Sequence, residues 1–368
     1  MNSFSNINMK PNKKLAFCIT CMNRLYHLQE TLEKNILDNY LPEDVEFILL
    51  DYNSTDGLEE WVRQNMQSYI DTGILVYYKT IEPEHYHRSH SRNMSFRLSN
   101  AEILCNLDAD NFLGEGFASF IINEFENNDN IFYTSNISFG DIVGRVAVRK
   151  EDFLKIKGYN EALQGYGCED TDLIARLTQS GLTQKRFDNP AFYHCIQHSN
   201  EERVKEEFMA KNTERVYISY INPYCSCVLL LFKDFTCRHY TIVDSPHLFY
   251  LLPDSFPKDY IASTEGISLK EDCQQGAWET NDNQILITEN GDTVTFQSDS
   301  QKIQYQNRDY YPVEDEELRT DLFFVLTLAA NRFMGTHQMQ SCEAVNPSGF
   351  GIGTVFKNFD NQTKILLQ

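Results

Sequence analysis

Residues 103–111 read ILCNLDADN, and this stretch decides the fold that the sequence predicts. Four of its first five residues are apolar, as in a buried strand, and the strand ends in two carboxylates, Asp108 and Asp110. Ligands bind at the carboxyl ends of the strands in an open α/β sheet, where two carboxylates one residue apart can share a hard divalent cation. Aspartate also favours turns, so a solvated turn is the alternative for these residues taken alone.

Two earlier apolar stretches show the same pattern. LAFCIT ends at Thr20 and VEFILL ends just before Asp51, and apolar residues at helical spacing follow each of them. Strands that alternate with helices over short connections predict a mostly parallel α/β sheet. Because parallel strands end on the same edge, we expect Thr20, Asp51 and Asp108 to line one ligand site.

Length and composition narrow the class of protein. With 368 residues the chain exceeds the roughly 250 to 300 at which a single core stops growing, so two domains are expected. The formal net charge is −21 and no basic patch emerges, which argues against a nucleic-acid partner and leaves at most a peripheral association with membranes. The sequence shows neither a signal-like leader nor an apolar run of the ~20 residues that span a bilayer, and its cysteines are scattered, so we expect a cytoplasmic protein.

A second group of acidic residues occurs at 165–172, which reads GYGCEDTD. Apolar residues at helical spacing follow, so a helix is predicted to begin close to Glu169. The helix dipole alone favours carboxylates in a first turn, which leaves a structural role open for Glu169, Asp170 and Asp172.

Five segments in chain order are TCMNR at 20–24, DYNSTDG at 51–57, RSHSRN at 88–93, DAD at 108–110 and GYNEALQGYGCED at 158–170. Together they resemble segments of the GT-A glycosyltransferases, specifically family 2 enzymes with a galactosyltransferase-type C-terminal catalytic segment. Two positions depart from the family pattern, since Cys21 replaces the usual proline and Tyr52 replaces the commoner second aspartate. The DAD segment alone is weak evidence, but five segments in the right order make a strong resemblance.

The resemblance implies an α/β fold of the GT-A type, with a Rossmann-like, mostly parallel central sheet flanked by helices, at residues 14–205. We expect residues 1–13 to be flexible and residues 206–234 to be a connecting helical or apolar segment. For residues 235–368 we expect an accessory C-terminal domain of α+β or β-rich structure and unknown role.

The resemblance also implies an activity. The chain would be a metal-dependent inverting glycosyltransferase that moves a sugar from a nucleotide-diphosphate sugar, a UDP sugar above all, to a hydroxyl of a glycan acceptor. Enzymes of this kind commonly act in cell-surface polysaccharide biosynthesis. The alternatives are a retaining GT-A transferase like the N-acetylgalactosaminyltransferases, and a catalytically degenerate carbohydrate-binding protein.

Roles for individual residues follow from the same resemblance. Asp51 would contact the nucleobase, and Arg88 and Arg92 would contact the diphosphate, with a surface salt bridge as the structural alternative for both arginines. The full set predicted to bind the nucleotide sugar is Thr20, Asn23, Arg24, Asp51, Asn53, Arg88, Arg92, Asn93, Asp108 and Ala109.

The catalytic residues predicted by the resemblance are Asp170 as general base and Glu169 as a hydrogen-bond partner of the donor or acceptor sugar. Tyr166 and Gly167 would contact the acceptor. The cofactor would be Mn²⁺ or Mg²⁺, held by Asp110, by Asp108 if this residue does not bind the ribose instead, and by a histidine. His198 fits the family spacing slightly better than His194.

Overall fold

The computed structural model of the chain describes residues 13–136, 142–222, 225–243, 268–269, 274–289, 291–341 and 343–368. Residues 1–12 of the N-terminal segment that is predicted to be flexible lie outside the described residues.

The chain forms two compact units. The first unit contains the residues up to Ala162 together with Glu169–Gln197 and Ala344–Gln368, and the second contains Leu163–Cys168 and His198–Glu343. The predicted transferase domain thus lies mainly in the first unit. The prediction of one accessory domain at residues 235–368 differs from the structure, because Ala344–Gln368 belongs to the first unit.

A nine-stranded sheet forms the centre of the first unit. Strands β7 and β19 run opposite to the others, so the sheet is mostly parallel and confirms the predicted α/β fold class. In spatial order the strands are β20 (Asp360–Leu367), β19 (Gly353–Lys357), β3 (Leu75–Thr80), β2 (Val45–Tyr52), β1 (Leu15–Cys21), β4 (Ile103–Asn106), β7 (Ala147–Arg149), β6 (Ile131–Thr134) and β8 (Thr183–Arg186).

Helices cover both faces of this sheet. They are α1 (Leu25–Asp38), α2 (Leu58–Asn65), α3 (Gln67–Asp71), α4 (Arg88–Leu98), α5 (Phe117–Asn127), α6 (Lys150–Lys155) and α7 (Glu169–Gln179). Phe17 and Ile19 of β1 pack into one core with α1, α2, α3 and α5, whereas Ala16 and Cys18 pack into the other with α4, α6 and α7. Burial on both faces explains why the strands read as continuous apolar stretches.

A short ladder extends the carboxyl edge of the sheet. Strand β5 (Asn111–Phe112), directly after Asp110, pairs with β9 (His194–Cys195) in antiparallel fashion. Two distant parts of the sequence therefore meet beside the end of β4.

The second unit is built on an antiparallel sheet. Its strands in spatial order are β16 (Asp292–Gln297), β15 (Gln284–Glu289), β14 (Gln274–Asn281), β12 (Thr236–Val243), β11 (Cys225–Phe232), β10 (Thr213–Asn222), β18 (Arg308–Pro312) and β17 (Ile303–Tyr305), and β13 (Ser268–Leu269) pairs with β12. Its helices are α8 (Asn200–Val204), α9 (Phe208–Asn212) and α10 (Glu316–Ser341).

The structure corrects the predicted connecting segment at 206–234. Apart from the short helix α9, this segment forms β10 and β11, two neighbouring interior strands of the second sheet. Val228 packs into a core on one face of the sheet and Leu229 into a core on the other. A strand buried on both faces has no alternation, and periodicity alone does not separate it from a buried helix.

Within the described part of the chain, every helix is too short or too polar to span a bilayer.

Candidate active site

The loops that follow β1 and β2 are tied together at the carboxyl edge of the parallel sheet. The backbone N–H of Asn23 donates to Ser54 Oγ at 3.1 Å, and Asn23 Oδ1 accepts from Thr55 N at 2.7 Å. Leu25 N donates to Asp56 Oδ2 at 2.7 Å. Asn23 has a φ of 56°, in the left-handed region that asparagine tolerates better than most residues. Two of the segments predicted to bind the donor therefore lie side by side.

Asp51 is the last residue but one of β2 and is fully buried. One of its carboxylate oxygens accepts from Ser54 N and the other from the Tyr77 hydroxyl, each at 2.7 Å. Burial raises the pKa of Asp51 above its usual range, although these hydrogen bonds and Lys79 oppose the shift. The carboxylate holds the turn after β2, and its contact with a nucleobase stays a prediction.

Further residues of the predicted donor set lie on the same edge. The hydroxyls of Thr20 and Tyr86 are 2.7 Å apart, and the Arg88 guanidinium lies 5.5 Å from the centre of the Tyr86 ring. Asn53 has a φ of 61° and its side-chain amide donates to the carbonyl of Pro83 at 2.8 Å. These contacts position the loop that precedes α4.

Two more residues of this set flank neighbouring elements. Arg24 directly precedes helix α1, and the carbonyl oxygen of Ala109 accepts from Thr31 Oγ1 at 2.7 Å. The Thr31 contact fastens the backbone between Asp108 and Asp110 to α1.

Arg92 on α4 joins the two acidic groups that the sequence analysis found separately. Its side chain is only 3% exposed. Nη1 donates to Glu169 Oε1 at 3.0 Å and to Asp170 Oδ1 at 2.8 Å. Nη2 donates to Asp108 Oδ1 at 2.9 Å. One buried guanidinium therefore brings the end of β4 to the first turn of α7.

These contacts change the expected role of Arg92. A buried guanidinium needs acceptors for its N–H groups, and three carboxylates accept from Nη1 and Nη2 here, whereas Nε has no partner among the described residues. Its predicted contact with a diphosphate stays a prediction, whereas its contacts with Asp108, Glu169 and Asp170 are structural observations.

The pKa values of Asp170 and Asp108 are shifted in opposite directions. Burial raises the pKa of Asp170 to about 7, with Arg92 opposing the shift and Glu169 and Asp108 reinforcing it. Burial acts on Asp108 too, but Arg92 and the side chain of Asn106 hold the pKa of Asp108 below its usual range. Environments that move the pKa values of neighbouring carboxyl groups apart are typical of acid and base pairs in active sites.

Two carboxylate oxygens of this group remain available. Asp170 is 14% exposed, and its Oδ2 makes no hydrogen bond to any residue that the structure describes. Glu169 Oε2 is buried and likewise has no hydrogen-bond partner among the described residues. A buried carboxylate oxygen without a donor is costly, and a ligand that donates a hydrogen bond to it would remove this cost.

Gly144 and Asn106 belong to the site although the sequence analysis missed them. A Cβ atom at Gly144 would lie 2.6 Å from Asp108 Oδ2 and 3.3 Å from Asp170 Oδ2, so only glycine leaves the carboxylates in place. Asn106 Nδ2 donates to Asp108 Oδ1 at 2.9 Å and to the carbonyl of Gly144 at 3.0 Å. As a polar residue within an apolar strand, Asn106 carried a signal, whereas Gly144 carried none.

Asn93 follows Arg92 on α4 and is fully buried. Its side-chain N–H group donates to the carbonyl of Tyr159 at 2.9 Å and to Glu161 Oε1 at 2.8 Å, and its Oδ1 accepts from Tyr159 N at 2.8 Å. The amide thus holds the loop around Tyr159, and its predicted contact with the donor stays a prediction.

Asp108 and Asp110 are the residues predicted to hold a divalent cation together with a diphosphate. Asp110 is buried, and its Oδ1 accepts from Asn111 Nδ2 at 2.9 Å. Within the described ranges, no three His, Cys, Asp or Glu side chains are grouped as ligands for a metal ion. One or two carboxylates, completed by substrate phosphates and water, are the set that usually holds Mg²⁺.

The two histidines predicted as alternative metal ligands lie in different units. His194 is exposed, pairs with Phe112 in the β5–β9 ladder and stacks on the Phe112 ring at 4.6 Å. His198 belongs to the second unit, where its Nδ1 accepts from Arg203 Nε at 3.4 Å. The choice between them stays a prediction.

The residues predicted to contact the acceptor are anchored within the second unit. The Tyr166 ring lies 4.9 Å from the Phe324 ring on α10, and Arg203 Nη1 donates to the Tyr166 hydroxyl at 3.3 Å. Gly167 has a φ of +95°, and its carbonyl accepts from Asn331 Nδ2 at 2.8 Å. Their contact with an acceptor stays a prediction.

One family model matches part of the chain. Residues 130–199 match the family model described as the N-terminal domain of galactosyltransferase. The matched segment contains Gly144, Glu169 and Asp170, and it confirms the resemblance to glycosyltransferases predicted from the sequence. No curated protein sequence matches the chain significantly.

Solved structures of glycosyltransferases resemble part of the chain. A mannosyltransferase from Pyrobaculum calidifontis, solved with GDP-Man and Mn²⁺, is 16% identical with a TM-score of 0.41, over 50% of this chain and 57% of its own. Residues 1–349 of S. aureus TarS are 12% identical with a TM-score of 0.42, over 52% and 61%. The catalytic domain of Drosophila β1,4-galactosyltransferase 7, solved with xylobiose, is 14% identical with a TM-score of 0.37, over 54% and 78%.

Proposed function

We propose that the chain is a metal-dependent, inverting glycosyltransferase that moves a sugar from a nucleotide-diphosphate sugar, a UDP sugar in first place, to a hydroxyl of a glycan. The observation that carries this proposal is the contact of buried Arg92 with Asp108 on one side and with Glu169 and Asp170 on the other. A transferase needs a donor site and a base next to each other, and this contact supports the proposal because it joins the residues assigned to the two roles.

The donor side consists of the strand ends. Asp110 and Asp108 would hold Mn²⁺ or Mg²⁺, and His198 as a further protein ligand stays a prediction of the resemblance. When bound, the ion would act as a Lewis acid and stabilise the charge that develops on the leaving diphosphate. Arg88 adds positive charge near this group. Its charge favours the ionised forms of both Asp108 and Asp170, although burial raises the pKa of Asp170 overall. The joined loops after β1 and β2 would bind the nucleoside.

The acceptor side consists of the first turn of α7. Arg92 holds Oδ1 of Asp170, so Oδ2 is left to take the proton from the attacking hydroxyl. A pKa of about 7 suits Asp170 to this task, because a base works best when its pKa lies near the operating pH. Glu169 Oε2 would accept a hydrogen bond from a sugar hydroxyl, which would satisfy this buried oxygen.

Inversion follows from a single displacement in which Asp170 and the diphosphate lie on opposite sides of the anomeric carbon. The anomeric configuration of the product, read by NMR, separates this reaction from that of a retaining transferase. We place the reaction in the biosynthesis of a cell-surface polysaccharide, which the products formed on candidate glycan acceptors would test.

Thermal unfolding with a panel of nucleotides, each with and without Mn²⁺, tests the donor site. A ligand at a hundredfold excess over its dissociation constant stabilises by ~2.7 kcal/mol, so a diphosphonucleotide should raise the Tm only when Mn²⁺ is present. Asp110→Ala should lose the shift, whereas Asp129→Ala, an exposed carboxylate elsewhere in the first unit, should keep it. No shift with any nucleotide would contradict the proposal and favour a degenerate carbohydrate-binding protein.

A further inference from the structure

The last residues of the chain, Ala344–Gln368, fold back onto the first unit. Strand β19 adds to the edge of the parallel sheet, where Phe356 pairs with Lys79 and Lys357 pairs with Tyr78. The residues just before β19 reach the elements that carry the candidate catalytic groups.

Asn346 bonds three positions of the loop between α6 and α7. Its Oδ1 accepts from Glu161 N at 3.0 Å, and its Nδ2 donates to the carbonyls of Lys157 and Tyr159, each at 2.7 Å. Asn346 has a φ of 48°, which asparagine tolerates better than most residues. A single side chain therefore fixes the path of this loop.

Glu161 connects this loop both to the C-terminal segment and to α4. Its Oε1 accepts from Gly351 N at 2.6 Å and from Asn93 Nδ2 at 2.8 Å. Asn93 in turn bonds both backbone groups of Tyr159. Loop, helix and C-terminal segment thus share one hydrogen-bond network, which we call the clamp (Asn93, Tyr159, Glu161, Asn346 and Gly351).

Two glycines, Gly351 in the clamp and Gly158 next to it, have no room for a side chain. A Cβ atom at Gly351 would lie 2.8 Å from Met94 N, and Gly351 has a φ of +56°. A Cβ atom at Gly158 would lie 2.4 Å from Asn93 Oδ1. Such close approach leaves α4 little freedom to shift against the C-terminal segment.

The clamp acts on the helical turn from which Arg92 reaches its carboxylates, because Asn93 is the next residue of α4. A second set of contacts leads from the same segment to Asp51. Asn358 bonds the N–H and the carbonyl of Tyr77 at 3.0 and 2.8 Å, and the Tyr77 hydroxyl donates to Asp51 at 2.7 Å.

We infer that Glu161 and Asn346 are positioning residues of the transfer reaction, which hold α4 so that Arg92 keeps Asp108, Glu169 and Asp170 in place. The inference rests on the proposed function for its catalytic part. Its structural part, that the C-terminal segment orders the loop and α4, stands independently.

Asn346→Ala in the full chain tests both parts, with Lys364→Ala as control because Lys364 is exposed on the same segment. Hydrogen exchange should become about tenfold faster or more at the amides of Tyr159, Glu161 and Gly351, and stay unchanged in β1. The turnover number should fall about tenfold to a hundredfold, since small displacements of catalytic groups have effects of this size, while KM for the donor and the Tm shift with UDP and Mn²⁺ stay near wild type. Lys364→Ala should match the wild type in all measurements.

Glu161→Gln is the second variant in case Asn346→Ala fails to fold, because it keeps the size and one acceptor oxygen of the side chain. If hydrogen exchange becomes faster only at these amides while an active enzyme keeps its turnover number, the positioning role in catalysis is overturned. If hydrogen exchange does not change, or becomes faster equally throughout the first unit, the proposed ordering of the loop and α4 by the clamp is overturned. A wild-type protein that binds no nucleotide would refute the proposed function and with it the catalytic part, and hydrogen exchange would still decide the structural part.

Discussion

Both units bury a carboxylate network, but the two networks differ in charge and in place. In the first unit Arg92 forms ion pairs with the acidic residues at the end of β4 and the start of α7. In the second unit Glu289 Oε2 accepts from the Tyr305 hydroxyl and from Gln306 Nε2, on one face of an antiparallel sheet. His239 lies beside it, bonded to the Tyr310 hydroxyl at 2.5 Å.

This comparison separates buried charges that indicate a functional site from buried charges that stabilise the fold. Burial lowers the pKa of His239 to about 4, and Arg308 reinforces the shift, so His239 adds no positive charge near pH 7 to the second network, which contains one carboxyl group, Glu289. In the first network three carboxylates surround one cation at the open edge of a sheet. An excess of buried like charge is costly and favours binding of protons or cations, so the first network has the character of a site and the second that of a structural element.

Asp170→Asn should have the largest effect on activity. Loss of a general base lowers turnover by about a thousandfold, whereas Asp172→Asn on the same helical turn, where Asp172 pairs with Arg176, should stay within a few-fold of wild type. Steady-state kinetics with the donor found by thermal shift would measure both. Full turnover in Asp170→Asn would contradict the assignment of the base.

Arg92→Met should have the largest effect on stability. Removing one partner of a buried ionic group leaves the others uncompensated and costs about 3–5 kcal/mol, which urea unfolding would measure. Arg308→Met is the control in the second unit, because Arg308 is exposed and its Nη1 donates to Cys227 Sγ at 3.4 Å, and it should cost no more than about 1 kcal/mol. A loss in Arg92→Met that is no larger than the loss in Arg308→Met would contradict the role of Arg92 in compensating the three buried carboxylates.

His198→Ala should raise the Mn²⁺ concentration for half-maximal activity by about tenfold or more, the loss seen even for outer partners of metal ligands. His194→Ala should change it little, because the His194 ring stacks on Phe112. A metal titration of activity in both variants decides between the histidines, and the reverse order would assign His194 instead.

The pKa of Asp170 predicts a pH dependence of both activity and stability. A base must be ionised, so kcat/KM should rise with pH and reach half of its maximum near pH 7. The folded pKa lies above the ordinary value of 3.8, so the folded state keeps a proton that the unfolded state has lost. This stabilising contribution is complete below pH 4 and disappears as the pH rises through about 7. The Tm of the wild type should therefore fall more steeply between pH 5 and 8 than that of Asp170→Asn.

Glu289→Gln should have the smallest effect. The amide keeps an acceptor for the Tyr305 hydroxyl, so stability should change by about 1 kcal/mol and turnover should equal that of the wild type. Urea unfolding and steady-state kinetics measure the two quantities. A large loss of turnover would show that the second network also serves the reaction.

Local patterns in the sequence predicted much of the first unit. The apolar stretches that became β1, β2 and β4 are spaced by amphipathic helices, and this spacing is readable along the chain. The polar residues at their ends therefore marked the edge of the sheet correctly. The apolar segment that became β10 and β11 was misread, because its burial on both faces removes the alternation on which such a prediction depends.

The sequence by itself determined the sheet, its edge and the acidic groups on that edge, because these depend on residues that are neighbours in the chain. Three features depend on the tertiary structure alone. Arg92 donates to Glu169, 77 residues away, and Gly144 leaves space for the carboxylates. The C-terminal segment pairs with β3. Such contacts depend on which surfaces meet when the helices pack on the sheet. A buried guanidinium takes the acceptors that packing brings within reach, and no local pattern names them.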